Sequence, residues 1–273
     1  MLRQSLLLLL LFLSQTAFAA DLAREQRIAD QIVDAILDGE PVWLEADGHR
    51  FLSIHTETDA QETRGGIILL HGMGANPDWQ DVIQPLRTLL PEHAWETLSI
   101  QLPVAASDAP FREYLPLIPE AYPRIRAAID FFKQKQNTNL VMIGHSLGAR
   151  MGLEFLASEK PQAVRAYIAI GLPAPTRVEG NPVLEAIGKV SIPMLDLYGS
   201  RDLESVIATA KQRRIAANKA AHPNYRQSRI AGADHFFHGM ESLLLQRVSN
   251  WTRRVAAGME IEGETTIPSA STP

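Results

Sequence analysis

Two spacings of apolar residues alternate along this chain, and the alternation predicts the elements. Residues 22–37 carry Ile28, Ile32, Ala35 and Ile36 near helical spacing, and Asp38-Gly39-Glu40-Pro41 stops the pattern. Residues 42–46 and 51–56 alternate apolar with polar, as a hairpin turned at Asp47-Gly48 does. Beyond them the character changes to continuous apolar runs bounded by turn residues: 67–70, 95–102, 140–143, 164–170, 193–198 and 225–230. Helical patterns fall between these runs, at 78–90, 121–135, 147–157, 184–189, 203–220 and 242–256. Pro85 is expected to kink the first of these or to mark its effective start. Apolar strands alternating with helices predict an α/β fold with a mostly parallel central sheet covered by helices on both faces.

The two ends of the chain do not fit this pattern. Arg3, the apolar run 6–13 and Ala17-Phe18-Ala19 read as an export signal over 1–19 with a small-residue cleavage site. The run is well short of the roughly 20 residues that cross a bilayer, and no later stretch is longer, so no stable membrane span is expected after cleavage. Residues 257–273, with Glu260, Glu262 and Glu264 ahead of a Thr/Ser/Pro/Ala tail, read as disordered. One domain over 20–256 remains. Export places it in the periplasm if the source is Gram-negative, and outside the cell otherwise. The formal net charge of −5 gives no electrostatic case for a nucleic-acid partner. The absence of Cys removes thiolate chemistry and Cys-based metal sites. No cofactor motif is present, and His235-x-x-His238 has no evident third ligand for a metal.

Four motifs follow the apolar strands. Gly144-His145-Ser146-Leu147-Gly148 sits between a strand and a helix, the setting that a nucleophile elbow requires, with Gly144 and Gly148 where a Cβ would not fit. Ser146 is the candidate nucleophile. His71-Gly72-Met73-Gly74 follows the 67–70 strand, and its Met73 amide, with that of Leu147, is the candidate oxyanion hole. His71 itself reads as a loop organiser. Asp202, in Tyr198-Gly199-Ser200-Arg201-Asp202, can orient a histidine or cap the next helix; Asp196 is the reserve carboxylate. His235 is the candidate base, with His238 its competitor. His145 and the remaining histidines read as packing or surface residues.

These motifs, in the order Ser146, Asp202, His235, resemble the α/β-hydrolase superfamily over residues 40–256. The segment from Leu69-Leu70-His71-Gly72-Met73-Gly74 through Trp79 to Leu102-Pro103 is similar to a narrower proteobacterial family of exported α/β-hydrolase-like proteins of unknown function. The resemblance implies the fold and the serine-hydrolase machinery and no particular substrate. Residues 171–191, where this fold usually carries a lid, are few, so the cap is short or absent. Phe111, Tyr114 and Phe236 are candidates for lining an acyl pocket or for packing loops onto the core. The leading expectation is an exported serine hydrolase acting on a small-molecule carboxylic ester or thioester through an acyl-enzyme. A non-catalytic envelope scaffold and a serine amidase or peptidase are the alternatives.

Overall fold

A computed structural model describes residues 20–257 of the chain. The expected signal over 1–19 and all but the first residue of the expected tail lie outside the described residues. Eight strands form one sheet: β1 (Glu40–Ala46), β2 (His49–Thr56), β3 (Gly65–Leu70), β4 (Trp95–Ile100), β5 (Leu140–His145), β6 (Val164–Ile170), β7 (Met194–Arg201) and β8 (Tyr225–Asp234). Their order is β1-β2-β4-β3-β5-β6-β7-β8, antiparallel at β1/β2 and β2/β4 and parallel elsewhere. This is the expected mostly parallel α/β sheet. The β1/β2 hairpin turns at Asp47 and Gly48, whose φ values of 50° and 73° give the local twist that a two-residue hairpin needs.

The apolar runs are continuous because both faces of the sheet are covered. Ile67 and Leu69 of β3 point into one core with Leu86 and Val248. Ile68 and Leu70 point into the other with Ile125 and Leu153. The helices that cover these faces include α2 (Ile83–Leu89), α4 (Ala121–Gln134), α5 (Leu147–Glu159) and α9 (Glu241–Val255), while α1 (Leu22–Ala35) precedes the sheet. The chain leaves β3 toward β4 on one side and returns to β5 on the other. The carboxyl ends of β3 and β5 therefore flank a topological switch point, where sheets of this kind place their clefts.

Three elements differ from the sequence expectation. The 78–90 helix begins only at Ile83, so Pro85 falls in its first turn, where a missing N–H is tolerated. The 203–220 helix is two pieces, α7 (Glu204–Ile207) and α8 (Ala210–Lys219). The Thr209 hydroxyl donates to Ser205 O at 2.6 Å, and Arg213 Nη1 donates to Val206 O at 2.9 Å; these side-chain bonds take carbonyls at the break. Finally, β8 runs on past Ile230 to Asp234, carrying its pairing with β7 to the edge of the His235 loop. A short helix, α3 (Phe111–Tyr114), lies in the 103–123 segment, and α6 (Pro182–Lys189) packs against α5 and α8.

Candidate active site

Ser146 stands at the carboxyl end of β5 and the amino end of α5, with φ 53° and ψ −119°. A non-glycine residue at this φ is strained and persists only where its surroundings fix it. The flanking glycines show what fixes it. A Cβ at Gly144 would meet Ala149 Cα and Gly148 O at 2.6 Å, and one at Gly148 would land on the His71 and Leu70 carbonyl oxygens. The elbow therefore wedges between β3 and its own helix and presents Ser146 at the positive end of α5.

The loop after β3 is held by His71. Its Nε2 accepts the Leu102 N–H at 2.9 Å, which places the ring proton on Nδ1, the donor to Gly72 O at 2.9 Å. Ala75 N–H also donates to Gly72 O, at 3.3 Å. Across a trans peptide the carbonyl and the next N–H point opposite ways, so pinning Gly72 O turns the Met73 N–H away from His71. Among the described residues neither the Met73 nor the Leu147 N–H donates to a protein acceptor. Both amides are free for an oxyanion.

On the other side of Ser146, His235 Nδ1 and Asp202 Oδ1 lie 2.5 Å apart. Asp202 also accepts the Leu203 N–H at 2.7 Å and the Gly199 N–H at 3.2 Å, so three donors fix its carboxylate. It pairs with a histidine, one of the two roles that the sequence allowed; the other, capping the next helix, does not hold, because α7 starts at Glu204 with Leu203 at its N-cap position and no side-chain cap. An ionised carboxylate only accepts, so the His235 proton sits on Nδ1 and its Nε2 carries the lone pair. The His235 ring packs over Gly171, where a Cβ would come within 2.9 Å of it, and the Ser146 N–H donates to Ile170 O at 2.9 Å. Ser146 and the His235 imidazole thus flank the same two residues at the end of β6. Among the described residues no hydrogen bond joins the Ser146 hydroxyl to the His235 ring.

The other sequence candidates separate cleanly. Asp196 is fully buried and held by Arg213 (2.8 and 3.2 Å), Tyr225 Oη (2.6 Å) and Gln227 Nε2 (2.9 Å), which leaves it no reach to a histidine. His238 is exposed at the surface, with Nδ1 2.9 Å from Asp234 and Nε2 3.3 Å from Asp81. Phe111 lines a cleft of about 550 Å³ beside Ser146, together with Met73, Pro173, Pro175 and Leu203. Tyr114, expected there too, is a correction: it is 2% exposed and belongs to the core beside Leu117 and Ile118, because α3 turns its ring inward. Phe236 packs edge-on against the His235 ring at 5.1 Å and is not part of that cleft's lining. The larger cleft of about 650 Å³ lies at the opposite end of the strands, around Arg64 and Trp95 at the amino ends of β3 and β4.

His145 carries a role that the motif did not reveal. Its Nε2–H donates to His235 O at 3.0 Å, so the residue before Ser146 holds the backbone of His235. The two ring centroids are 4.8 Å apart. Burial, then the neighbouring His235, pushes His145 down to about 3; burial pushes His71 down to about 4. Both rings are neutral in the fold. The unfolded chain takes up these protons near pH 6.5, so it binds more protons than the fold as pH falls, and stability drops through the window from 6.5 toward 4. Each histidine contributes roughly 3 kcal/mol to that loss by pH 4. Thermal unfolding followed from pH 7 to pH 4 should show the decline, and His71→Asn should have a shallower one; parallel curves for the two proteins contradict the assignment.

The fold is that of the α/β-hydrolases, and solved structures similar to it are esterases and hydrolases. The Pyrococcus furiosus esterase Pf2001 matches with a TM-score of 0.65 at 14% identity, over 81% of this chain and 93% of that one. An α-β serine hydrolase homologue from Coxiella burnetii matches at 0.61 and 18%, over 79% and 98%. Est1E from Butyrivibrio proteoclasticus matches at 0.59 and 16%, over 80% and 98%. A comparison with curated proteins found no match. The model of the family described as "Protein of unknown function (DUF3530)" matches residues 6–123 and 119–254, and the chain belongs to that family.

Proposed function

We propose that this protein is an exported serine hydrolase that cleaves carboxylic esters or thioesters. One observation carries the reading. Ser146 sits on a strained elbow at φ 53°, and a histidine already paired to a buried carboxylate at 2.5 Å packs over the adjoining strand end. His235 Nε2 takes the Ser146 proton as the hydroxyl oxygen attacks the acyl carbonyl. Asp202 keeps the ring in the required tautomer and stabilises the imidazolium. The charge that develops on the carbonyl oxygen falls to the Met73 and Leu147 amides at the amino end of α5. Collapse breaks the bond to the leaving alkoxide or thiolate, which takes the proton from His235. Water, deprotonated by His235, then attacks the acyl-enzyme and releases the carboxylic acid. The Ser146–His235 hydrogen bond forms as substrate binds, as catalytic hydrogen bonds that are long in free enzymes commonly do.

The cleft beside Ser146 supports an acyl chain as the recognised group. Met73, Phe111, Pro173, Ala174, Pro175 and Leu203 give it apolar walls. Residues 171–191 contribute a wall and not a mobile cap, since α6 is packed on α5 and α8. Arg3, the 6–13 apolar run and Ala17-Phe18-Ala19 support export; among the described residues no helix is long and apolar enough to cross a membrane. The test is a series of p-nitrophenyl esters from acetate to palmitate with the purified protein. kcat/KM should rise with acyl length and fall once the chain outgrows the cleft. Hydrolysis of no member above the buffer rate overturns the reading.

A further inference from the structure

We propose that α1, which lies outside the sheet, braces the oxyanion loop, and that Arg24 is a positioning residue for the Met73 amide. The inference rests on the hydrolase reading for its catalytic consequence. Its structural part stands on α1 alone.

The side of Met73 toward His71 is fixed by the two donors on Gly72 O. Beyond Met73 the chain turns through Gly74 at φ 68°, and the Gly74 carbonyl has a different partner. Arg24 Nη2 donates to Gly74 O at 3.2 Å, while Arg24 Nη1 donates to Ala105 O at 2.6 Å. One guanidinium, with its donors in a rigid fork, thereby ties the loop after β3 to the segment after β4. Tyr114 Oη lies 3.5 Å from Arg24 Nη1 and stands against Gly74, so the tyrosine buried below α3 backs this junction.

The helix that carries Arg24 is itself anchored. Glu25, 3% exposed, accepts from both terminal nitrogens of Arg124 at 2.8 and 3.2 Å and from the Val104 N–H at 3.2 Å. The Asp21 N–H donates to Val104 O at 2.7 Å, and the Asp21 side chain accepts the Arg24 N–H at 2.9 Å. A buried ion pair with its remaining valences filled gives a fixed register more readily than it gives net stability. Here the register it fixes is that of Arg24 over the loop. Met73 thus has a clamped carbonyl on each side, from His71 and from Arg24, and its N–H direction is set before substrate arrives.

The test compares the wild type with Arg24→Met, which keeps the stem and removes the fork, and with Arg24→Lys. Amide hydrogen exchange in a peptide spanning 71–79 should accelerate about 10-fold or more in Arg24→Met while that of β5 is unchanged, the signature of local opening. With a p-nitrophenyl ester, kcat should fall about 10-fold with KM held within about two-fold, because an oxyanion donor acts in the transition state. Arg24→Lys, able to reach one carbonyl, should recover part of both losses. Unchanged exchange in the 71–79 peptide overturns the brace. So does faster exchange across the whole sheet with a kcat loss that lysine does not relieve, which would make Arg24 a general stability residue. If the wild type hydrolyses no ester, the hydrolase reading fails while the exchange experiment still decides the brace.

Discussion

Ser146→Ala takes up no fluorophosphonate and loses ester turnover by about five to six orders of magnitude, leaving what binding and the oxyanion amides supply without a nucleophile. The size of the effect follows from the geometry. The Ser146 side chain makes no hydrogen bond to the protein among the described residues, so its removal deletes chemistry and little else. Alanine inherits the φ of 53°, and Gly144 and Gly148 still clear the turn, so the thermal midpoint should stay within a few degrees of wild type. Mass spectrometry of the labelled wild type should place the phosphonate on the peptide that holds Ser146. Equal labelling of the two proteins rejects Ser146 as nucleophile. An equal turnover rate in the variant rejects the acyl-enzyme mechanism, since the hydrolysis would then proceed without Ser146.

The elbow was legible because its constraints are local. An apolar strand, two glycines and a helical run occupy consecutive positions, and the collisions that exclude a Cβ at Gly144 come from Gly148 and Ala149 of the same turn. His235 and Asp202 were legible for a different reason: each follows a strand at a turn, and the parallel order brings the carboxyl ends of β5, β7 and β8 to one rim. What escaped depends on partners far along the chain. At the break between α7 and α8, Arg213 takes the Val206 carbonyl while it is paired with the buried Asp196, and a helix-length run with Lys and Arg on it carries no sign of those partners. Tyr114 lies among prolines and aromatics with no period to say which way a ring turns. Arg24 is one of several charged residues in the 22–37 run, whose apolar spacing alone predicts a helix. Its two carbonyl partners lie 50 and 81 residues away, where no local pattern points.

The same distinction between local pattern and long-range partner decides which histidine is the base. His235→Ala should lower kcat by at least about four orders of magnitude, and Asp202→Asn by about four, while His238→Ala stays within about two-fold of wild type. The effect of Asp202→Asn is electronic and geometric at once. Both Asp202 oxygens accept: Oδ1 from the Leu203 N–H and from His235, Oδ2 from the Gly199 N–H. An asparagine has one oxygen for these three donors. If its amide nitrogen faces His235, the ring proton moves to Nε2, the nitrogen that must take the proton from Ser146. If it faces Gly199, two N–H groups oppose each other in a buried site, and the loop that carries residue 202 is pushed off its place. Either arrangement leaves Ser146 without a working base. His238 has no comparable stake. Its side chain is 57% exposed, and Asp234 and Asp81 occupy its two nitrogens at the surface. A large loss in His238→Ala with a small one in His235→Ala would move the base to His238. It would also require the 232–240 loop to rearrange on substrate binding, since the described structure turns only the His235 ring over Gly171.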